Sequence, residues 1–140
     1  MKIITIVCFA NYCRSPVAEA LLSDRLTSDY EIISAGLEPV VKSGMDERSS
    51  KFLDSIGLPK KVHVPKKINT QIMNNSTYVF ALDTFILLEL NKTFPNQKGK
   101  IKLLTFQKPG TRLFDPYRMS NDDYLLCMEN IRDVCNSLDI

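Results

Sequence analysis

Short apolar runs alternate along the chain with segments whose apolar positions recur at helical spacing. Lys2 to Val7 is β-branched and apolar, the pattern of a strand buried on both faces. After a polar loop, Pro16 stands where a helix can begin, and Val17, Ala18, Ala20, Leu21, Leu22 and Leu26 follow on a helical period. Tyr30 to Ala35 predicts a second strand ended by Gly36. Asp46 to Ile56 predicts a second helix, with Phe52, Leu53 and Ile56 on one face and Gly57 as its terminator. Asn69 to Met73 predicts a short helical turn, and Thr77 to Leu82 a third strand. Thr84 to Phe94 predicts a Leu- and Ile-rich helix stopped by Pro95, followed by a fourth strand from Ile101 to Leu104. A long polar loop with Pro109, Gly110 and Pro116 leads to a last helix, roughly Asn121 to Leu138.

Strands that alternate with helices throughout predict an α/β fold with a parallel sheet covered by helices on both faces. Ligands of such open sheets bind outside the carboxyl ends of the strands. The loops after the first and fourth strands should therefore share one rim, and both carry reactive residue types. The 140 residues suit one core, so residues 1–140 are expected to form one domain. No internal repeat, linker or low-complexity tract breaks the chain.

Composition narrows the class. A hydrophobic fraction of 44% and a charged fraction of 24% are ordinary for a soluble protein. A net charge of +2 argues against nucleic acid or an anionic membrane as the main partner. Lys60, Lys61, Lys66 and Lys67 form a basic cluster, read as a solvated face in preference to a partner site. No segment has the pattern of a signal peptide or transmembrane helix. Cys8, Cys13, Cys127 and Cys135 make no CxxC pair, and His63 is the single histidine, so a structural zinc site is not expected. The cysteines are expected to be reduced, in a cytoplasmic setting.

The loop Cys8-Phe9-Ala10-Asn11-Tyr12-Cys13-Arg14-Ser15, between the first strand and first helix, has the makings of an oxyanion cradle. Backbone N–H groups of a tight strand-to-helix loop point inward, and the helix N-terminus adds partial positive charge. Arg14 brings a planar fork suited to two phosphate oxygens. Helix N-termini and cations favour the thiolate form of a cysteine, the form that acts as nucleophile. Ser15 can donate a further hydrogen bond to the Cys8 sulfur. The C-x5-R spacing, the following Ser and the strand-loop-helix context together mark Cys8 as a nucleophile beneath a bound phosphate. The glycines and lysine of the nucleotide loop G-x4-G-K-[ST] are absent.

The segment Val7 to Glu19, VCFANYCRSPVAE, resembles the active-site signature of the low-molecular-weight protein tyrosine phosphatases. The likeness extends to Ser34-Ala35-Gly36, Ala81-Leu82-Asp83 and Asp115-Pro116-Tyr117 and covers essentially the whole chain. It implies a three-layer sandwich with four parallel strands. It also implies hydrolysis of phosphotyrosine and aryl phosphate monoesters through a phosphocysteine on Cys8. No metal or organic cofactor is implied, since loop dipoles and Arg14 can neutralise the transition-state charge. The expected partner is a phosphotyrosine-bearing protein substrate, with the enzyme a monomer or weak dimer.

A departing alkoxide or phenoxide needs a proton, and a carboxylic acid within reach supplies it. Pro116 holds Asp115 in extended backbone geometry, and the resemblance makes Asp115 the general acid and then the base that activates water. Tyr117 offers an aromatic wall. Phe9, Ala10, Asn11, Tyr12, Cys13 and Ser15 complete the phosphate-binding set. Asn11 tolerates left-handed geometry, and the resemblance puts Ser34 and His63 in the polar network that holds the loop. His63 reads equally well as an ordinary half-buried histidine.

Two residues depart from the family pattern. Ala10 stands where the family usually has Gly, at a cost on the order of 1 kcal/mol if positive φ is needed there. Tyr12 is bulkier than the usual aliphatic residue, and either stacks on an aryl substrate or narrows the entrance. The resemblance also implies a reversible Cys8–Cys13 disulfide, against which Cys13 reads as a small buried residue. Cys127 and Cys135 read as packing residues of the last helix.

Four other functions share parts of this pattern. A thiol-dependent arsenate reductase would need relay cysteines after the third strand, and there are none between Val79 and Lys100. A protein phosphoarginine phosphatase fits poorly with Tyr12 at the pocket lip. A non-catalytic phosphate-binding module, or a sugar-phosphotransfer domain, has little use for Cys8, Arg14 and Asp115 together.

Overall fold

A computed structural model of the protein describes residues 1–26, 28–58 and 62–140. In chain order it contains β1 (Lys2–Cys8), α1 (Ser15–Arg25), β2 (Tyr30–Gly36), α2 (Glu47–Ser55), α3 (Thr70–Asn75), β3 (Tyr78–Ala81), α4 (Thr84–Thr93), β4 (Ile101–Leu103) and α5 (Asn121–Ser137). The four strands are all parallel, in the order β2-β1-β3-β4. The predicted α/β sandwich is the observed one.

Side chains alternate along β1 and divide the core into two. Ile4, Ile6 and Cys8 face one way, packing with Val17 and Leu22 of α1, Leu53 of α2 and Met128 and Ile131 of α5. Val7 faces the opposite way, with Val79 and Ala81 of β3, Met73 of α3 and Ile86 and Leu90 of α4. Helices therefore cover both faces, and β1 lies between neighbours reached by crossovers in opposite directions. The carboxyl end of β1 is the switch point at which such sheets open a crevice. Cys8 is the residue at that end.

Helix ends follow sequence chemistry. The side chains of Asp46, Asn69, Asp83 and Ser120 accept backbone N–H bonds at the starts of α2, α3, α4 and α5. Gly57 takes positive φ just past α2, as its predicted role requires. The Asp46–Ile56 prediction thus included the two cap residues of a helix that runs from Glu47 to Ser55. Pro95 does more than stop α4: it opens a short 3-10 turn, Pro95–Lys100, that delivers the chain to β4. Pro fits the first helical positions because its missing N–H has no helical partner there.

Of the predicted basic cluster, Lys60 and Lys61 lie outside the described residues. Lys66 and Lys67 are exposed, and their backbone serves the sheet edge: Gly36 donates its N–H to Lys66 O at 2.8 Å, and Lys67 bridges to Gly36. Among the described residues, no helix is long and apolar enough to cross a membrane.

Candidate active site

The loop from β1 to α1 is shaped by one side chain. Asn11 has φ of 51°, and it is the single non-glycine residue with positive φ among those described. The left-handed turn is held by four bonds. Asn11 Nδ2 donates to Ser15 Oγ at 2.8 Å and to Ser34 Oγ at 2.9 Å. Its Oδ1 accepts the Lys66 N–H at 3.0 Å, and its carbonyl bonds His63 Nε2 at 2.7 Å. Since a carbonyl only accepts, that ring nitrogen carries the proton. Ala10 keeps an ordinary backbone, so the strain expected for it does not arise: the left-handed position is one residue later, where Asn tolerates it.

This network also fixes where protons point. Ser15 Oγ accepts from Asn11, which leaves its own hydrogen for Cys8 Sγ, 2.9 Å away. Ser34 Oγ likewise accepts from Asn11 and donates to Glu19 Oε1 at 2.9 Å. The chain Glu19–Ser34–Asn11–Ser15–Cys8 thus ends with a hydroxyl donor aimed at sulfur, which favours a sulfur bearing negative charge.

Arg14 is 2% exposed, and Nη1 donates both to Asp83 Oδ2 and to the Leu113 carbonyl, each at 2.6 Å. The Nε–Nη2 edge remains, and it presents the parallel N–H pair that suits two phosphate oxygens. Burial pushes the guanidinium toward losing its proton, but Cys8, Asp83 and Asp115 around it outweigh burial and hold it above the ordinary arginine value.

A cavity of about 330 Å³ gathers Cys8, Arg14, Tyr12, Asp115 and Tyr117, with Phe9, Ala10 and Cys13 also on its wall. The predicted rim, from the loops after β1 and β4, is this cavity. Asp115 is exposed, with Oδ1 accepting the Tyr117 N–H at 3.1 Å. The Tyr12 and Tyr117 rings meet edge-on, with centroids 6.4 Å apart and planes at 67°, leaving two aromatic walls around an open cleft. Asn11, Ser15, Ser34 and His63 do not line the cavity. They are buried behind the loop and support it.

All four cysteines are free, and Cys127 and Cys135 belong to the core between the sheet and α5. Burial pushes the thiols of Cys13, Cys127 and Cys135 up to about 12, so all three stay protonated at neutral pH. Three contributors carry no role in the sequence reading: Glu19 and Asp83, which lie within the matched segments, and Arg48. Each is a charged residue with a hydrogen-bond partner distant along the chain: Ser34 for Glu19, Arg14 for Asp83, and the Tyr117 and Met119 carbonyls for Arg48. The signal available was Asp83 at the carboxyl end of β3, the rim where ligands gather.

A thiol seated at a strand end and hydroxyl-bonded beneath an arginine edge, with a carboxylate across the same cleft, defines a cysteine-dependent phosphatase of the parallel α/β type. The chain belongs to the low molecular weight phosphotyrosine protein phosphatase family, whose family model matches residues 3–139. Low molecular weight protein-tyrosine-phosphatase Ptp of Acinetobacter johnsonii is 30% identical over 117 residues, 84% of this chain and 81% of the relative. The tyrosine phosphatase Wzb of Escherichia coli K30, solved with sulphate, superposes with a TM-score of 0.89 at 26% identity, covering 96% of this chain and 94% of that one. The YwlE arginine phosphatase of Geobacillus stearothermophilus shares the fold with a TM-score of 0.88 at 24% identity, covering 97% and 89% of the two chains.

Gly36 lies beside Cys8 in the β1–β2 register. A Cβ at Gly36 would stand 2.8 Å from both Asn11 N and Phe9 O, backbone atoms that cannot swing aside. Gly36→Ala is therefore expected to displace the loop. Overpacking of this kind costs about 1–3 kcal/mol, and a misplaced cradle should lower kcat/KM for an aryl phosphate by at least about tenfold. Thermal unfolding with steady-state kinetics checks both, and unchanged kcat/KM would mean the close approach is dispensable.

Proposed function

We propose that residues 1–140 act as one phosphatase domain that hydrolyses phosphotyrosine and aryl phosphate monoesters. The observation that carries this reading is the 2.9 Å bond between Cys8 Sγ and Ser15 Oγ, in a cavity that Arg14, Asp115 and two tyrosine rings also line. The amides of residues 9–14 and the free edge of Arg14 hold the phosphoryl oxygens. The Cys8 thiolate attacks phosphorus in line with the ester oxygen, forming the S–P bond as the P–O bond breaks. Asp115 gives its proton to the departing phenoxide. Its carboxylate then takes a proton from water, whose oxygen attacks phosphorus. Inorganic phosphate leaves, the thiolate is restored, and Asp115 is again protonated. Ser15 stabilises the sulfur as leaving group in this second half.

The aromatic walls favour a flat phenyl ring over the guanidinium chain of phosphoarginine, because Tyr12 and Tyr117 offer ring faces and edges at packing distance. A phosphotyrosine-bearing protein is accordingly the proposed substrate. Four free cysteines agree with a reducing, cytoplasmic setting, and a monomer or weak dimer suffices because one chain supplies the whole cavity.

Phosphate release from matched phosphotyrosine and phosphoarginine peptides, with chelator present, tests the reading. The expected preference in kcat/KM for phosphotyrosine is on the order of a hundredfold. Faster release from phosphoarginine would reassign the substrate, and no release from either peptide would leave a binding module.

A further inference from the structure

Arg48, near the start of α2, lies outside the cavity and touches none of the reacting groups, yet it joins the two loops that form the site. Its Nε and Nη2 bond both oxygens of Asp46, each at 3.1 Å. The same Nη2 donates to the Tyr117 carbonyl at 2.9 Å, and Nη1 donates to the Met119 carbonyl at 3.3 Å. The guanidinium carbon lies over the Tyr124 ring, 3.9 Å from its centroid.

The other end of this assembly reaches the phosphate loop. Asp46 donates its N–H to the Tyr12 carbonyl at 3.0 Å. Ser49, one residue after Arg48, donates its hydroxyl to the Cys13 carbonyl at 2.7 Å and meets the Tyr124 hydroxyl at 2.5 Å. One turn of α2 thus bonds the nucleophile's loop through Asp46 and Ser49, and the loop of Asp115 through Arg48. Ahead of Asp115 the chain is held by Arg14 Nη1 on the Leu113 carbonyl, at 2.6 Å, and by Cys127 Sγ on the Phe114 carbonyl, at 3.3 Å; past it, the Met119 N–H to Pro116 carbonyl bond is internal to the turn. That internal bond fixes the turn's shape, and the bonds that tie its far side, Tyr117 to Met119, toward α2 are those of Arg48.

We propose that Arg48 is a positioning residue that sets where Asp115 and Tyr117 stand relative to Cys8. The inference rests on the phosphatase reading above. Its chemical content is that Asp115 reaches the departing oxygen only while Arg48 holds the carbonyls of Tyr117 and Met119. Lysine cannot replace it, because a single ammonium lacks the fork that spans a carboxylate and two carbonyls at once.

The test is kcat/KM for aryl phosphates of graded leaving-group acidity, from p-nitrophenyl to phenyl phosphate. Wild type, Arg48→Ala, Arg48→Lys, Asp115→Asn and the Arg48→Ala/Asp115→Asn double variant are compared. Both Arg48 variants should lose about tenfold or more on phenyl phosphate, and about threefold or less on p-nitrophenyl phosphate, whose phenoxide departs with little help from a proton. In the Asp115→Asn background, Arg48→Ala should add no further leaving-group dependence, since the proton donor it positions is already gone. Equal losses across the series in the Arg48 variants would overturn the positioning role, as would an undiminished Arg48 effect in the double variant. A flat series for Asp115→Asn itself would overturn the acid role and this inference with it. Arg48→Lys, which keeps a cation beside Asp46, gives the same comparison if the alanine variant does not fold.

Discussion

Cys8→Ser will keep its fold and lose turnover of p-nitrophenyl phosphate by at least four orders of magnitude, roughly the cost of removing a nucleophile from other covalent enzymes. Serine is nearly isosteric with cysteine and can retain the bond to Ser15, so the buried end of β1 has little cause to rearrange. What changes is ionisation. A thiol gives up its proton far more readily than a hydroxyl, which needs a neighbouring base to act as a nucleophile. Among the described residues the Cys8 sulfur is hydrogen-bonded to Ser15, and a hydroxyl that donates toward sulfur is no base. The measurement is kcat with chelator present, beside a thermal melt that matches wild type. A folded serine variant with near-normal kcat would remove the phosphocysteine from the mechanism.

Asp115→Asn will lower kcat/KM for phenyl phosphate on the order of a hundredfold to a thousandfold, within the range for loss of a general acid. The loss on p-nitrophenyl phosphate will be smaller by about tenfold or more. Asparagine preserves the acceptor for the Tyr117 N–H, and position 115 is exposed, so stability should change by less than about 0.5 kcal/mol. The contrast between leaving groups distinguishes a missing proton from a damaged pocket. A damaged pocket would slow every ester alike, and that result would take Asp115 out of the proton-transfer step.

Strand and helix types were legible because each element buries one face or both. Ile4, Ile6 and Val7 cannot sit in a helix of the observed kind and still fill two cores, and the chain's alternation said so before folding. The Cys8–Ser15 loop was legible for a different reason: its chemistry is local, with Cys8, Arg14 and Ser15 all within one turn of the chain. Asp115 and Tyr117 needed the topology as well, since only the shared rim of a parallel sheet brings residue 115 to residue 8.

Where the sequence fell short, the missing information was tertiary. Glu19 and Arg48 occupy helices, where a charged residue ordinarily means a solvated face, and their partners Ser34, Tyr117 and Met119 lie far along the chain. The concern over Ala10 arose because sequence spacing does not say which loop residue turns left-handed, and Asn11 proved to be that residue. Likewise Pro95 signalled an end to α4 without signalling the 3-10 turn it begins.

The clamp on Arg14 has a consequence for affinity. A free arginine side chain loses up to about 2 kcal/mol of rotamer entropy when it is immobilised. Here Asp83 and the Leu113 carbonyl have already frozen the side chain through Nη1, so the loss belongs to folding. On the proposed mechanism, an arriving dianion would meet a guanidinium edge already set in place, and this part of the ordering cost would not count against its binding. On the proposed mechanism, inorganic phosphate would meet the same pre-set edge as the substrate, so it is expected to inhibit competitively.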